Sequence, residues 1–277
     1  MTETSLERQE QQERQHAQTR QAASPAARWQ ARLRRALPSA LVFVAVLAFL
    51  QWGVPALGVS PYVLPTPWAV LQQMLNPESR LLYHFGITAS EAVGGVLAGG
   101  LLGVGLAVLF VHVRPLEDAL YPWIIVLQTI PLVALAPMLI IWFGSGVLPR
   151  VAMSALFAFF PILVNALRGL RQTEPAAMEL LHTYAASRWQ IFWTLRLPSS
   201  LPFVFAGLKI GTTLAVIGAI VGEFAGASQG LGYAITVSTY STDTSQTFAA
   251  IAYASLMSIS LYLLLLWLER RFVFWQR

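Results

Sequence analysis

The sequence predicts an all-α, polytopic membrane protein with six transmembrane helices and cytoplasmic N- and C-termini. Three observations predict it. Of 277 residues, 56% are hydrophobic and only 11% charged, against about 25% charged in soluble domains. Six apolar runs reach or nearly reach the roughly 20 residues that a helix needs to cross a hydrocarbon core about 30 Å thick. The cationic side chains fall on alternate sides of those runs.

Residues 1 to about 27 are rich in Gln, Glu, Arg and Ala and almost devoid of apolar side chains. They predict a solvated tail, disordered or loosely helical. The domain division is a tail over 1–35 and a membrane domain over 36–277. The polar stretch is too long, and the apolar run after it too nearly span-length, for a secretory signal. The first span runs from Leu37 to Val54. In the loop from Pro55 to Phe85, behind Pro61, Pro65 and Pro67, Trp68–Leu75 reads as a short amphipathic helix on the outer surface. The second span, Ala92–Val111, places Gly95, Gly99 and Gly103 on one face, where another backbone can approach closely.

The third run, Trp123–Phe143, carries Pro131 and Pro137; the fourth, Val151–Leu167, carries Pro161. Prolines within spans remove backbone donors, so these helices should face protein or a cavity. The longest inner segment, 168–202, follows. The fifth span, Phe203–Phe224, repeats the small-residue face with Gly207, Gly211, Ala215 and Ala219. A polar outer loop, Ala225–Thr247, leads to the sixth span, Phe248–Trp267. Packing is the simpler reading of both glycine faces; sliding during transport is the alternative.

With the N-terminus inside, the inner segments hold seven arginines of the tail, Arg114, Arg168, Arg171, Arg188, Arg196, Arg270, Arg271 and Arg277. The outer loops hold only Arg80 and Arg150, so fifteen cations lie inside and two outside, with Lys209 within a span. Orientation follows from this asymmetry. The same distribution assigns the net charge of +5 to a membrane face rather than to a nucleic-acid groove.

Catalytic chemistry finds little support. Cysteine is absent and the four histidines are scattered, so no metal cluster or thiolate nucleophile can be drawn, and no cofactor is expected. The only lysine, in Gly207-Leu208-Lys209-Ile210, does not fit a P-loop. Gly226-Ala227-Ser228-Gln229-Gly230 matches a nucleophile elbow in letters, but it follows a membrane helix and no histidine lies beyond it. Ionisable groups inside spans default to functional candidates. Glu91 and Glu223 lie near outer span ends, where water is expected to reach them. Lys209 lies near enough to the inner end to snorkel. Glu223, Gln128, Thr129 and Asn165 are candidates for a translocation path, although structural hydrogen bonding is the simpler reading of each.

The inner segment reads EPAAMELLHTYAASRWQIFWTLRLPSSLP, bracketed by Pro175 and Pro198. Leu180, Leu181 and Tyr184 share one helical face, and Trp189, Ile191, Phe192 and Trp193 make a second apolar cluster. Such a surface is an interfacial anchor or a docking element for a soluble partner, and physics alone leaves both open.

Glu179, Ala185 six residues later, Ala186-Ser187-Arg188-Trp189-Gln190-Ile191-Phe192, and Leu197-Pro198 resemble the cytoplasmic "EAA" loop of binding-protein-dependent importers. Thr129-Ile130-Pro131, Ala134-Leu135-Ala136-Pro137, Trp142-Phe143-Gly144, Phe160-Pro161-Ile162 and Val221-Gly222-Glu223-Phe224 through Gly230-Leu231-Gly232-Tyr233 extend the resemblance over about residues 36–270. They are similar to the nitrate, sulfonate and taurine permease group, and in part to its thiamine-precursor pyrimidine and riboflavin branches. Here Leu180 and Leu181 replace the two alanines and Ala185 the glycine of the turn. Alanine in a left-handed conformation costs on the order of 1 kcal/mol.

The resemblance implies the permease subunit of an ATP-binding-cassette importer in a bacterial inner membrane, not an enzyme itself. It implies a homodimer around a path for a small nutrient, a cytoplasmic ATPase dimer and an extracytoplasmic substrate-binding protein. Glu179 would orient the coupling helix, and Trp189 and Phe192 would fill the ATPase groove, beside Arg188 and Pro198. A self-sufficient secondary carrier or channel is the competing class, although carriers mostly show internal repeats and about ten or more spans.

Overall fold

The computed structural model describes the backbone of residues 25–276 and side chains from 37 to 275. The tail expected over 1–35 lies largely outside the described residues; from Pro25 the backbone is helical. Among the described residues every regular element is a helix. The chain divides into two units, residues 1–60 and 61–277.

In the first unit, α1 (Pro25–Ala48) continues through a π turn, Phe49–Gly53, into a last α turn, Val54–Ala56. Its apolar part, Leu37–Ala56, is 20 residues long with a mean hydropathy of 2.0, sufficient to span a bilayer. Leu41, Phe43, Val44 and Trp52 are exposed along it, as lipid-facing side chains are.

In the second unit, α2 (Pro67–Leu75) is the short helix expected after the first span, capped where Thr66 Oγ1 accepts from the Ala69 N–H at 3.3 Å. Three long helices make the centre: α3 (Leu81–His112), α6 (Val147–Arg171) and α9 (Leu197–Phe224). The two glycine faces have a common target, because both pack on α6. A β-carbon on Gly99 would lie 2.5 Å from the Ala155 carbonyl oxygen, and one on Gly218 would lie 2.9 Å from Ser154 Cα. Ser154 donates to the Ala215 carbonyl at 2.9 Å, tying α6 to α9 across this contact. Close approach of backbones takes the place of hydrophobic driving force where lipid is as apolar as leucine.

Between α3 and α6 the expected third span is not one helix. α4 (Arg114–Gln128) ends at Thr129, a 3₁₀ turn covers Leu132–Leu135, and α5 (Ala136–Phe143) leaves at 92° to the first part. Pro131 explains the break: it has extended backbone, with ψ 96, it offers no N–H, and it disfavours helix at Ile130. The described residues thus hold five helices long and apolar enough to span, or six with this bent pair as one.

Beyond α6, α7 (Pro175–Thr183) and α8 (Arg188–Ile191) are short. A π turn, Phe192–Arg196, joins α8 to α9, so that Arg188–Phe224 is one helical path of 37 residues. Pro198 therefore does not end the inner segment as its bracketing position implied. The widened turn, in which the Leu197 N–H reaches the Phe192 carbonyl five residues back, accommodates the proline ring and its missing donor. After α9 come α10 (Leu231–Tyr240) and α11 (Thr244–Phe272). Lys209 of α9 bonds Glu269 of α11 at 2.8 Å, so it is held by a carboxylate rather than reaching out alone.

Candidate functional site

Two clusters of predicted residues stand at opposite ends of the 37-residue helical path. The first is the α7–α8 hairpin. α7 ends in a Schellman motif: the Ala186 N–H bonds the Leu181 carbonyl at 3.0 Å and the Ala185 N–H the His182 carbonyl at 2.9 Å. Ala185 adopts φ 52. The left-handed turn normally given to glycine is therefore kept with alanine in place. α8 opens with a capping box, Ser187 Oγ accepting from the Gln190 N–H at 3.3 Å and Gln190 Oε1 from the Ser187 N–H at 2.8 Å. The Ser-Arg-Trp-Gln letters carry this box and the sequence reading passed over it.

The hairpin has an outward and an inward side. Leu180, Tyr184, Trp189 and Trp193 are exposed, with Tyr184 at 76% and Trp189 at 60%. Glu179 is exposed and forms no ion pair among the described residues. Trp189 stacks on Phe192 at 5.6 Å and meets Trp193 edge-on at 5.7 Å. Phe192 itself is only 4% exposed and packs with Phe110, Leu163 and Leu170 of α3 and α6. The expectation that Phe192 fills a partner's groove is corrected: it is the hairpin's anchor to its own chain. Arg188 is exposed at the start of α8, and Pro198 lies in the first turn of α9.

The second cluster joins α3, α6, α9 and α10. Glu91 and Glu223 are 0% and 1% exposed, so the water expected around them is excluded. Arg150 donates to Glu91 Oε1 at 2.6 Å and to the Gly146 carbonyl at 3.1 Å. Glu223 accepts from Thr88 Oγ1 at 2.6 Å and from the Gly232 N–H. Thr88 Oγ1 in turn accepts from the Leu231 N–H at 2.7 Å, and His84 Nδ1 from the Gly230 N–H at 3.0 Å. Three successive N–H groups at the start of α10 are thereby satisfied by side chains of α3 and α9. These are donors that a helix cannot satisfy within itself, and the positive end of α10 faces the Glu223 carboxylate.

Gly230 and Gly232 make this contact possible. Gly230 has φ 107, and a β-carbon there would sit 2.1 Å from Glu223 Oε1; one on Gly232 would sit 2.6 Å from the Ile220 carbonyl oxygen. His84 and Thr88 were not singled out from the sequence. Their spacing of four residues, one helix face pointing the same way as Glu91, is the signal that could have found them.

The remaining path candidates are not gathered with Glu223. Gln128 and Thr129 adjoin at the broken span and are exposed, with Thr129 Oγ1 donating to the Val126 carbonyl at 2.7 Å. Asn165 donates to the Pro161 carbonyl of its own helix at 2.8 Å, beside Gly207.

A bundle of apolar spans cored by glycine contacts, with a short-helix hairpin displayed at one end, defines a multi-pass membrane protein. Residues 95–274 match the family described as binding-protein-dependent transport system inner membrane component, and the chain belongs to that family. It is similar to a probable ABC transporter permease protein of Haemophilus influenzae, 36% identical over 234 residues, covering 84% of this chain and 96% of that protein. It is likewise similar to the riboflavin transport system permease protein of Chloroflexus aurantiacus, 35% identical over 243 residues, 87% of this chain and 91% of that one. A third relative, the formylaminopyrimidine transport permease protein of Halalkalibacterium halodurans, is 38% identical over 200 residues, 72% of this chain and 80% of that protein.

Proposed function

We infer that the chain forms the translocation path of an ATP-binding-cassette importer in a bacterial inner membrane, as a homodimer. A separate cytoplasmic ATPase dimer docks on the α7–α8 hairpins and an extracytoplasmic binding protein delivers cargo to the outer loops. The observation that carries this reading is the hairpin itself. It displays Leu180, Tyr184 and Trp189 outward, holds Phe192 inward, and runs without a break into α9. Exposed aromatics on a rigid scaffold suit a partner's groove, and a continuous helix carries displacement from docking surface to span. Coupling needs an element that both events bias, and α8–α9 is that element. The orientation rests on the fifteen-to-two arginine asymmetry.

Similarity to riboflavin and formylaminopyrimidine permeases favours a nitrogen-heterocyclic vitamin or vitamin precursor as cargo over nitrate, sulfonate or taurine. ATP hydrolysis is assigned to the separate ATPase, since the one lysine of this chain stands outside any P-loop.

In the complex with its ATPase, Glu179→Ala and Ala185→Val should leave ATP hydrolysis running while uptake falls by about tenfold or more. Unchanged uptake in both variants overturns the coupling role. Because the chain has no cysteine, single cysteines at His182 and Ser228 report sidedness directly. A membrane-impermeant maleimide applied to intact cells should label position 228 and spare 182.

A further inference from the structure

Beneath the hairpin lies a cavity of about 390 Å³ whose charge is one-sided. His112 and Arg114, at the junction of α3 and α4, face His182 of α7, Arg188 of α8 and Arg196 of the π turn. Among the described residues no carboxylate lines it. Of the three ion pairs among the described residues, none uses Arg114, Arg188 or Arg196. Arg196 Nε is buried without an acceptor. An adjoining cavity shares Arg114 and Arg196 and holds Glu117 and Asp118, but Glu117 is taken by Arg171. Among the described residues that line the two cavities, Asp118 is therefore the one carboxylate outside an ion pair, against three such guanidiniums. Cations gathered without counter-charges repel one another, and a buried guanidinium nitrogen without an acceptor is costly. An anion relieves both.

Depth and shape narrow the anion. The cavity's walls are the ends of spans: His112 closes α3, Arg114 opens α4 and Arg196 precedes α9. That is the level of lipid headgroups, and the exposed Trp193 nearby is an interfacial side chain by type. Convergent arginines match phosphate oxygens, to which planar guanidiniums bond in pairs. We propose that this cavity binds a phosphate group, that of an anionic lipid headgroup or of a soluble phosphate, between the hairpin and the spans. Basic pockets between helices on the cytoplasmic side hold headgroups in this way. The ligand would brace the hairpin against α3 and α4. The site rests on the proposed orientation but on neither the ATPase nor the cargo, so its test does not depend on theirs.

The purified full chain in neutral detergent should unfold at a higher temperature with added dioleoyl-phosphatidylglycerol and not with dioleoyl-phosphatidylcholine. The double variant Arg114→Gln/Arg188→Gln alters two exposed side chains and should keep the fold. Its half-saturating phosphatidylglycerol concentration should rise by about tenfold or more, while Arg168→Gln, outside the cavity, leaves it unchanged. Inorganic phosphate that raises the unfolding temperature and competes with the lipid identifies the soluble source; lipid action without phosphate action identifies the headgroup. No shift with either probe overturns the proposal, as does an equal loss in Arg168→Gln.

Discussion

The two ends of the helical path Arg188–Phe224 are built on opposite principles. At the α8 end, Trp189 is 60% exposed, and Glu179 of α7 has no ionic partner among the described residues. At the α10 end, Glu223 is 1% exposed and both its oxygens accept hydrogen bonds from within the chain. Displayed apolar side chains with unused charges are what a docking surface presents before its partner arrives. A buried carboxylate bonded to the backbone of a following helix is a fixed joint. On the proposed function, the contrast separates a grip for another protein from a clamp that holds the loop between α9 and α10 to the bundle. On that proposal, a push at α8 would reach a part of the molecule whose own geometry is tightly determined.

If the clamp is a fixed joint, removing one member should cost far more stability than any change to the grip. Glu91→Ala strands Arg150 as an unpaired charge beside buried apolar groups, and such losses cost about 3–5 kcal/mol. The variant should unfold at a much lower temperature in detergent or fail to accumulate. Glu91→Gln, which keeps an acceptor near Arg150, should be milder. A fully stable Glu91→Ala would break the comparison, because it would mean that the junction is not held by its charges.

The grip is divided by one helical turn. Phe192→Ala empties a filled core position and should destabilise the chain by about 3 kcal/mol or more. Trp189→Ala should change stability by less than about 1 kcal/mol but weaken ATPase binding by about tenfold or more, since exposed tryptophans are frequent anchors of interfaces. Thermal unfolding of the isolated chain and co-purification of the ATPase measure the two effects separately. Equal stability losses in both variants would show that the inward and outward roles are wrongly assigned.

The sequence made the grip more legible than the clamp for a physical reason. Span lengths, the glycine faces and the hairpin follow from local patterns: hydropathy, a four-residue repeat and the spacing from Glu179 to Pro198. The glycine faces do make close contacts, but only the structure shows that α3 and α9 share α6 between them. The clamp depends on contacts between residues more than a hundred positions apart, such as Thr88 with Glu223. No local period encodes these, so structural hydrogen bonding at Glu223 could be expected from the sequence, but not its partners Thr88 and Gly232. The inward turn of Phe192 was equally hidden, because Trp189, Phe192 and Trp193 are all aromatic and only their helical phase decides which is buried. Pro131 gave notice of a broken span, but not of its 92° bend.

The smallest expected effect tests the turn between the two sides of the grip. Ala185 holds φ 52 where a β-carbon crowds the backbone. Its turn persists because two Schellman bonds and the capping box at Ser187 fix the chain on either side. Ala185→Gly removes the strain but adds freedom to the unfolded chain, so the net gain should be only about 0.5–1 kcal/mol. Ser187→Ala should act in the opposite direction by about 1 kcal/mol, through loss of the cap. Hydrogen exchange of the Ala185 and Ala186 amides reads both changes locally: protection should rise in the first variant and fall in the second. If glycine instead lowers protection, the hairpin is held by its neighbours so firmly that the alanine costs nothing, and the grip would be as fixed as the clamp.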